Sequence, residues 1–406
     1  PVWQVQIETP LTITTPKGFQ ASGVHVGLKR KRKDLGLIWC EKGASAAAVY
    51  TTNQVQAAPI TVTKQALQAS QGHIHAVLVN SGNANACTGE LGLSHAYTSQ
   101  QALATHFGIA PEQVAIASTG IIGQPLAIDT LLAGIPQLMP TNDKDAANDF
   151  SHAILTTDTG TKSAGQQYMQ GNVQISVCGV AKGSGMIHPN MATMLGFLTT
   201  DATIEPDVLQ TLLRRTIHRT FNCITVDGDS STNDMVMILA SGAAGGATIV
   251  EGTDEALAFE QAIETVCQDL AKQIARDGEG ATKLIEVTVD GTQTDEVARM
   301  IAKQVVGSSL VKTAIFGEDA NWGRIIAAVG SIKEPLDVSN VDIKIGSQWV
   351  LQQSMPVLFD ETIASRELAQ QDVQIHIDLH DGTGRGHAYG CDLTYDYVKI
   401  NASYRT

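Results

Sequence analysis

Apolar positions recur along this chain with two periods, and the periods mark its elements. Ile285, Val287 and Val289 are separated by single polar residues, as are Val373, Ile375, Ile377 and Leu379. A strand with one buried and one wet face gives this period of two. Asp381-Gly382 then offers a turn, and a second strand-like run is expected after it, as far as residue 400. Apolar runs at 23–28, 35–40, 76–79, 114–117 and 173–180 read as further strands. The opening stretch, 1–14, alternates Trp3, Val5 and Ile7 with Gln4 and Gln6, which predicts a strand and not a signal peptide. Over 254–276 the period lengthens: Phe259, Ile263, Val266, Leu270 and Ile274 recur three or four apart, and Gly278 follows as a stop. This predicts a helix, with others near 91–107, 206–219 and 294–303. There is no regular βαβ rhythm, internal repeat or low-complexity linker. The architecture expected is α/β, layered in the α+β manner, with a smaller C-terminal α/β unit over 284–406.

Composition changes this picture little. Hydrophobic residues make up 43% and charged residues 17%, an ordinary core-forming balance. At roughly 150 residues per domain, the length fits two or three structural units. The charge of −14 matters more, because it disfavours binding to nucleic acid or an anionic membrane. No apolar run is long enough to span a bilayer. Six scattered cysteines, Cys40, Cys87, Cys178, Cys223, Cys267 and Cys391, form no C-x-x-C pair and no zinc spacing. Reduced thiols in a cytoplasmic protein, most of them small core residues, are the expectation, with no metal site. Residues 29–33, Lys-Arg-Lys-Arg-Lys, form the strong charge run, which reads as a solvated turn between the strands at 23–28 and 35–40.

Several catalytic motifs fail on spacing. Ser184 has glycines directly beside it instead of two residues away, so it is no nucleophile elbow. Ser309 and Lys312 fit S-x-x-K but lack its companion elements. Asp227 to Asp234 opens like a calcium loop, yet position six is Thr232 and position twelve is Ile238. A hydrogen-bonded turn fits that stretch, and a role in a site stays open. No phosphate loop or H-E-x-x-H is present.

Three stretches carry chemistry. Lys182-Gly-Ser-Gly-Met-Ile-His-Pro-Asn-Met-Ala-Thr193-Met-Leu is a tight loop running into an apolar strand. A hydroxyl at such a boundary can attack the carbonyl before it, here that of Ala192, and cutting there frees the Thr193 amine. An α-amine titrates near 7.7–8.0 and can serve as the base for its own hydroxyl. In Ala117-Ser-Thr119-Gly120-Ile-Ile-Gly123, the Thr119 hydroxyl and the Gly120 N–H could form a two-donor oxyanion hole. In Asp277-Gly-Glu279-Gly-Ala-Thr282, Glu279 stands between glycines after the long helix. Taken singly, each also reads as a turn, a strand-to-helix junction or a helix cap.

Together these stretches closely resemble the ornithine acetyltransferase family, the glutamate N-acetyltransferases of arginine biosynthesis. Further matches are Val79-Asn-Ser-Gly-Asn-Ala-Asn-Ala-Cys87-Thr-Gly89, Thr225-Val-Asp-Gly-Asp-Ser-Ser-Thr-Asn-Asp234, Gly317-Glu-Asp-Ala-Asn-Trp-Gly-Arg324 and Asn401-Ala-Ser-Tyr-Arg-Thr406. The matches run in family order from about residue 20 to the C-terminus. The resemblance implies a fold shared with self-processing N-terminal-nucleophile hydrolases. It implies cleavage at Ala192–Thr193 into an α chain, 1–192, and a β chain, 193–406, that stay associated, as α2β2. Thr193 is then the nucleophile, and Thr119 and Gly120 match the oxyanion-hole pair. Substrate contacts map onto Thr156, Lys182, Thr193, Glu279, Asn401 and Thr406, with Thr157 and Thr159 standing beside Thr156 as alternatives. The implied reaction is ping-pong acetyl transfer from N2-acetyl-L-ornithine to L-glutamate through acetyl-Thr193, in the cytoplasm, with no cofactor. Acetyl-CoA as a second acetyl donor is left open. Alternatives are a self-processing aminopeptidase or amidase of the same fold, a non-catalytic binding protein, and an acetyltransferase taking other amines. His188 is a less favoured general base than the Thr193 amine.

Overall fold

The computed structural model describes residues 10–188 and 194–403. The larger sheet contains β1 (Gln20–Val24), β2 (Leu35–Tyr50), β3 (His73–Asn83), β4 (Val114–Ile121), β5 (Lys162–Gln170), β6 (Val173–Lys182), β7 (Leu195–Thr200) and β8 (Met235–Ala240). Its order is β4-β3-β2-β8-β7-β6-β5, with β1 added on β2. The β3/β4 and β7/β8 pairs are parallel. Strand β2 joins two halves: its first residues pair with β1 and β3, and Ser45 to Tyr50 pair with β8. The β2/β3 register shifts between Trp39 and Ala44, where the strand changes partners. Ile38, Val77 and Ala115 of one half then share a core with Phe197, Met235 and Met237 of the other.

The helices of this unit are α1 (Ala58–Ala69), α2 (Gly89–Phe107), α3 (Ile128–Gly134), α4 (Lys144–Ala153), α5 (Pro206–Arg219) and α6 (Asp254–Arg276). Phe150 of α4 meets Phe197 edge-on, with centroids 5.8 Å apart. The five periodic residues of α6 are all buried, among Ile175, Val177 and Leu213. At about 1.5–3 kcal/mol for each large side chain, this burial outweighs the helix's own propensity. The Thr253 hydroxyl starts α6 by accepting from Ala256 N at 3.2 Å. Strand β8 is covered on both faces: Met235, Met237 and Leu239 enter one core, Val236, Ile238 and Ala240 the other. It therefore shows no polar alternation.

The second sheet holds β9 (Leu284–Thr292), β10 (Asp342–Ile345), β11 (Gln348–Gln352), β12 (Met355–Pro356), β13 (Asp372–Asp378) and β14 (Gly384–Cys391), in the order β12-β11-β10-β13-β9-β14. With it come α7 (Asp295–Gly307), α8 (Ser309–Phe316), α9 (Trp322–Gly330) and α10 (Glu361–Leu368). Its core is separate, built on Val287, Val289, Ile301, Val305, Ile375 and Ile377. The last helix, α11 (Tyr395–Ser403), leaves this sheet and carries Tyr397 and Asn401 to the first unit.

Four expectations need correction. The strand expected at 23–28 ends at Val24, because the buried Asp34 carboxylate accepts from the N–H groups of Val26, Gly27 and Lys29 at 2.8, 3.2 and 2.8 Å. Those donors are no longer available to a ladder. In the charge run, Arg30, Lys31 and Arg32 are exposed as expected, but Lys29 turns inward and donates to Leu155 O at 2.8 Å. The run expected to continue as strand to residue 400 stops at Cys391, and Thr394 caps α11 by accepting from Tyr397 N at 3.3 Å. Of the stretch 1–14, residues 1–9 lie outside the described residues and 10–14 are irregular, with a turn at Ile13 and Thr14. All six cysteines are free and Cys87 alone is exposed. Among the described residues, no helix is long and apolar enough to cross a membrane, and no His, Cys, Asp and Glu cluster could hold a metal ion.

Candidate active site

A cavity of about 380 Å³ opens where β4, β6 and the start of β7 meet α11. The parallel β3/β4 pair ends irregularly, with Gly120 against Gly82 and Asn83. Gly120 has φ +136°, and a Cβ there would lie 2.4 Å from the Gly82 carbonyl carbon, so only glycine fits. The neighbouring chain is fixed by side-chain amides. Asn233 Nδ2 donates to Ala84 O and Ser118 O at 2.6 and 2.8 Å, and Ser118 Oγ donates to Asn80 Oδ1 at 2.5 Å. The asparagine-rich stretch from Val79 to Gly89 thus supports the β4 end instead of lining the cavity.

Lys182, at the end of β6, is buried and spans one wall. Its Nζ donates to Thr119 Oγ1 at 3.2 Å and Thr156 Oγ1 at 2.8 Å, and lies 3.9 Å from Asp158. Both threonine hydroxyls accept here, which leaves the proton of each free to donate. Burial lowers the Lys182 pKa, and the Asp158 carboxylate opposes that. Asp158 also receives Lys162 Nζ at 2.6 Å and Gly183 N at 2.7 Å. Burial alone would raise the Asp158 carboxyl, but Lys182 and Lys162 more than offset this and hold it at about 2. Lys162 continues the chain of charges to Asp277 at 2.7 Å.

Glu279 faces the cavity from the turn after α6. Its carboxylate accepts from Thr157 Oγ1 at 2.8 Å and Asn401 Nδ2 at 2.6 Å, and it has no ion pair among the described residues. A Cβ on Gly185 would come within 2.3 Å of Glu279 Oε1, so this glycine makes room for the carboxylate. Asp227 holds the loop opposite by accepting from Met186 N and Ile187 N, each at 2.9 Å, and from Tyr397 OH at 3.1 Å.

Thr119, Gly120, Thr156, Lys182, Glu279 and Asn401, drawn from across the sequence, thus line one cavity. Met194 and Leu195 line it too. Ala192, Thr193 and Thr406 lie outside the described residues. Thr157 shares the wall with Thr156, while Thr159 hydrogen-bonds Asp277 and does not line the cavity. His188 does not line it either; it contacts Thr225 Oγ1 at 3.0 Å, and burial lowers its pKa to about 4. Sequence reasoning missed Asp158, Lys162 and Tyr397, which belong to no recognisable motif. It kept open a role for 227–234, and Asp227 and Asp229 to Asp234 line the cavity.

The fold and cavity define a layered α/β enzyme whose buried site offers hydroxyl donors, the Lys182 ammonium and several carboxylates, Glu279 among them. Comparison with known proteins gives the family. The model of the ArgJ family matches residues 20–406. Proteins named "Arginine biosynthesis bifunctional protein ArgJ" are 53% identical in Bacillus cereus and 55% identical in Geobacillus kaustophilus; the matches cover 97% of this chain and 97% and 96% of those relatives. Among solved structures, the ArgJ protein of Bacillus halodurans is 53% identical, with a TM-score of 0.49, over 51% of this chain and 97% of its own. The ornithine acetyltransferase of Mycobacterium tuberculosis, complexed with ornithine, is 36% identical, with a TM-score of 0.39, over 45% of this chain and 96% of its own. The chain belongs to the ArgJ family of arginine-biosynthesis enzymes.

Proposed function

We propose that this enzyme transfers an acetyl group from N2-acetyl-L-ornithine to L-glutamate through an acetyl ester on Thr193, after cutting its own Ala192–Thr193 bond. The observation that carries this reading is one cavity holding Thr119, Gly120, Lys182 and Glu279 beside Met194, the residue after Thr193. The freed Thr193 amine takes the proton of its own hydroxyl, and Oγ attacks the acetyl carbonyl. The oxyanion that forms is met by the Thr119 O–H and the Gly120 N–H. Lys182 Nζ occupies a lone pair of Thr119 Oγ1, which directs that hydroxyl's proton away from the lysine. One such donor is worth about 2.7–4 kcal/mol of barrier. Ornithine leaves with a proton on its α-nitrogen, and the glutamate amine then attacks the ester through the same oxyanion site.

The two substrates share an amino-acid core but carry side chains of opposite charge. Glu279, unpaired by any cation among the described residues, suits the ammonium of acetylornithine, and Lys182 suits a carboxylate. The N-terminal-nucleophile fold, the division into chains 1–192 and 193–406, an α2β2 assembly and a cytoplasmic location belong to this reading. The bifunctional naming of the relatives supports acetyl-CoA as a second donor. An aminopeptidase or amidase of similar fold would differ in its acceptor. Ornithine release from N-acetylornithine is therefore measured with and without glutamate. Release that depends on glutamate and matches N-acetylglutamate formation supports the transferase; equal release into water refutes it.

A further inference from the structure

We propose that the basic run 29–33 binds the phosphates of coenzyme A and so forms the distal part of an acetyl-CoA site. The inference rests on the acetyltransferase reading above and adds to it where the second donor docks. The run belongs to the loop between β1 and β2, which is built and not merely solvated. Asp34, fully buried, accepts three of the loop's N–H groups, and Asp34 O accepts from Ser81 N at 2.9 Å. The loop thereby sits at the end of β3 and β4, where Thr119 and Gly120 of β4 line the cavity. A Cβ on Gly82 would lie 2.8 Å from Lys29 Cγ and 3.2 Å from Leu28 O, while the other neighbour of Gly82 is Gly120. The loop thus packs on the strand that backs the candidate oxyanion hole. Lys29 makes a second tie, since its Nζ holds the carbonyl of Leu155, the residue before Thr156.

Beyond Lys29 the side chains turn outward. Arg30, Lys31 and Arg32 are exposed and make no ion pair among the described residues, whereas Lys33 pairs with Asp149 at 3.2 Å. Three adjacent cations with no ion partner among the described residues are held in a fixed loop of a chain whose net charge is −14. The charges of acetylornithine and glutamate lie within a few bonds of the reacting carbonyl, where Lys182 and Glu279 already stand. A donor that needs cations further out must carry its charge at the end of a long arm, and acetyl-CoA does, with its phosphates separated from the thioester by pantetheine. On this donor Thr193 Oγ attacks the thioester carbon, the C–S bond breaks, and the thiol leaves with the hydroxyl proton. The acetyl-threonine formed is the same as that from acetylornithine.

The test uses the full, self-processed protein and the variant Arg30→Ala/Lys31→Ala/Arg32→Ala. Binding of desulfo-CoA is measured by calorimetry at two salt concentrations. The expected result is at least tenfold weaker binding in the variant, with the salt dependence of the wild type largely lost. The KM for acetyl-CoA rises in parallel, that for acetyl-pantetheine is unchanged, and acetylornithine-to-glutamate transfer stays within twofold of wild type. Equal desulfo-CoA affinity in both proteins overturns the proposal, as does a wild type that binds an oligonucleotide through this run but not desulfo-CoA. A wild type active with acetylornithine that binds no CoA overturns the site and leaves the transferase reading intact. A wild type that binds CoA through the run yet transfers no acetyl group from either donor supports the site and refutes that reading.

Discussion

Replacing Thr119 by alanine removes one hydroxyl and one methyl from the cavity wall. Thr119 is buried to the edge of the cavity, at 9% exposure, and its Oγ1 accepts from Lys182 at 3.2 Å. In Thr119→Ala the Lys182 ammonium keeps Thr156 Oγ1 at 2.8 Å and Asp158 at 3.9 Å. The folding cost is then that of one hydrogen bond to a charged group, about 1.5–3 kcal/mol, and about 0.8 kcal/mol for the buried methyl, small enough for a protein of this size to stay folded. On the proposed mechanism the kinetic cost is larger, because the lost O–H would meet charge that develops only in the transition state. One such donor is worth about 2.7–4 kcal/mol, or roughly 10²–10³ in kcat. In that mechanism each half-reaction places an oxyanion in the same site, so transfer from acetylornithine and from acetyl-CoA should fall alike. Self-cleavage can slow for the same reason, so rates are normalised to the amount of cleaved chain measured by intact mass. Thr119→Ser keeps the hydroxyl and should stay within about tenfold of wild type. A folded, cleaved Thr119→Ala enzyme within threefold of wild-type kcat refutes the oxyanion assignment, as does a serine variant as impaired as the alanine one.

Glu279→Gln should raise the KM for N-acetylornithine at least about tenfold, the low end for losing a buried charge pair; normal affinity in a substrate titration would remove the carboxylate's cation-binding role. Gly185→Ala, whose methyl would sit 2.3 Å from Glu279 Oε1, should displace that carboxylate and raise the same KM in a chain that still folds. An unchanged KM would show that Glu279 need not hold its place. Asp158→Asn leaves Lys182 and Lys162 facing each other without their shared anion, and urea unfolding should show a loss of about 3–5 kcal/mol. The wild-type carboxyl lies at about 2 when folded against 3.8 unperturbed, so its stabilisation is complete above the unperturbed value and is lost as pH falls through about 2. Unfolding midpoints between those limits should fall with pH in wild type and fall less in the variant; parallel curves would contradict the charge assignment.

The long helix α6 was legible because Phe259, Ile263, Val266, Leu270 and Ile274 all face one core, and its limits match the expected 254–276. Strands β13 and β9 were legible for the same reason, each having one wet face. Alternation misled where a local polar group outcompeted the ladder. Val24, Val26 and Leu28 keep strand spacing, but the Asp34 carboxylate takes the N–H groups beyond Val24. Leu393, Tyr395 and Tyr397 also alternate, yet Thr394 caps a helix whose residues are all at least partly exposed. The cavity was legible through motif residues that proved to converge, such as Thr119, Lys182 and Glu279. Asp158 and Lys162 gave no such signal. Their importance comes from burial beside Lys182, which no spacing along the chain records.

The proposed mechanism requires Thr193 to carry the acetyl group. Intact-mass analysis of wild type and Thr193→Ala, each incubated with N-acetylornithine and no acceptor, tests it most directly. Two wild-type chains are expected, 1–192 and 193–406, with one acetyl group on the second that disappears when glutamate is added. A single uncut, unmodified chain is expected in Thr193→Ala. A single chain in both proteins, or an acetyl group that stays off chain 193–406, would contradict it.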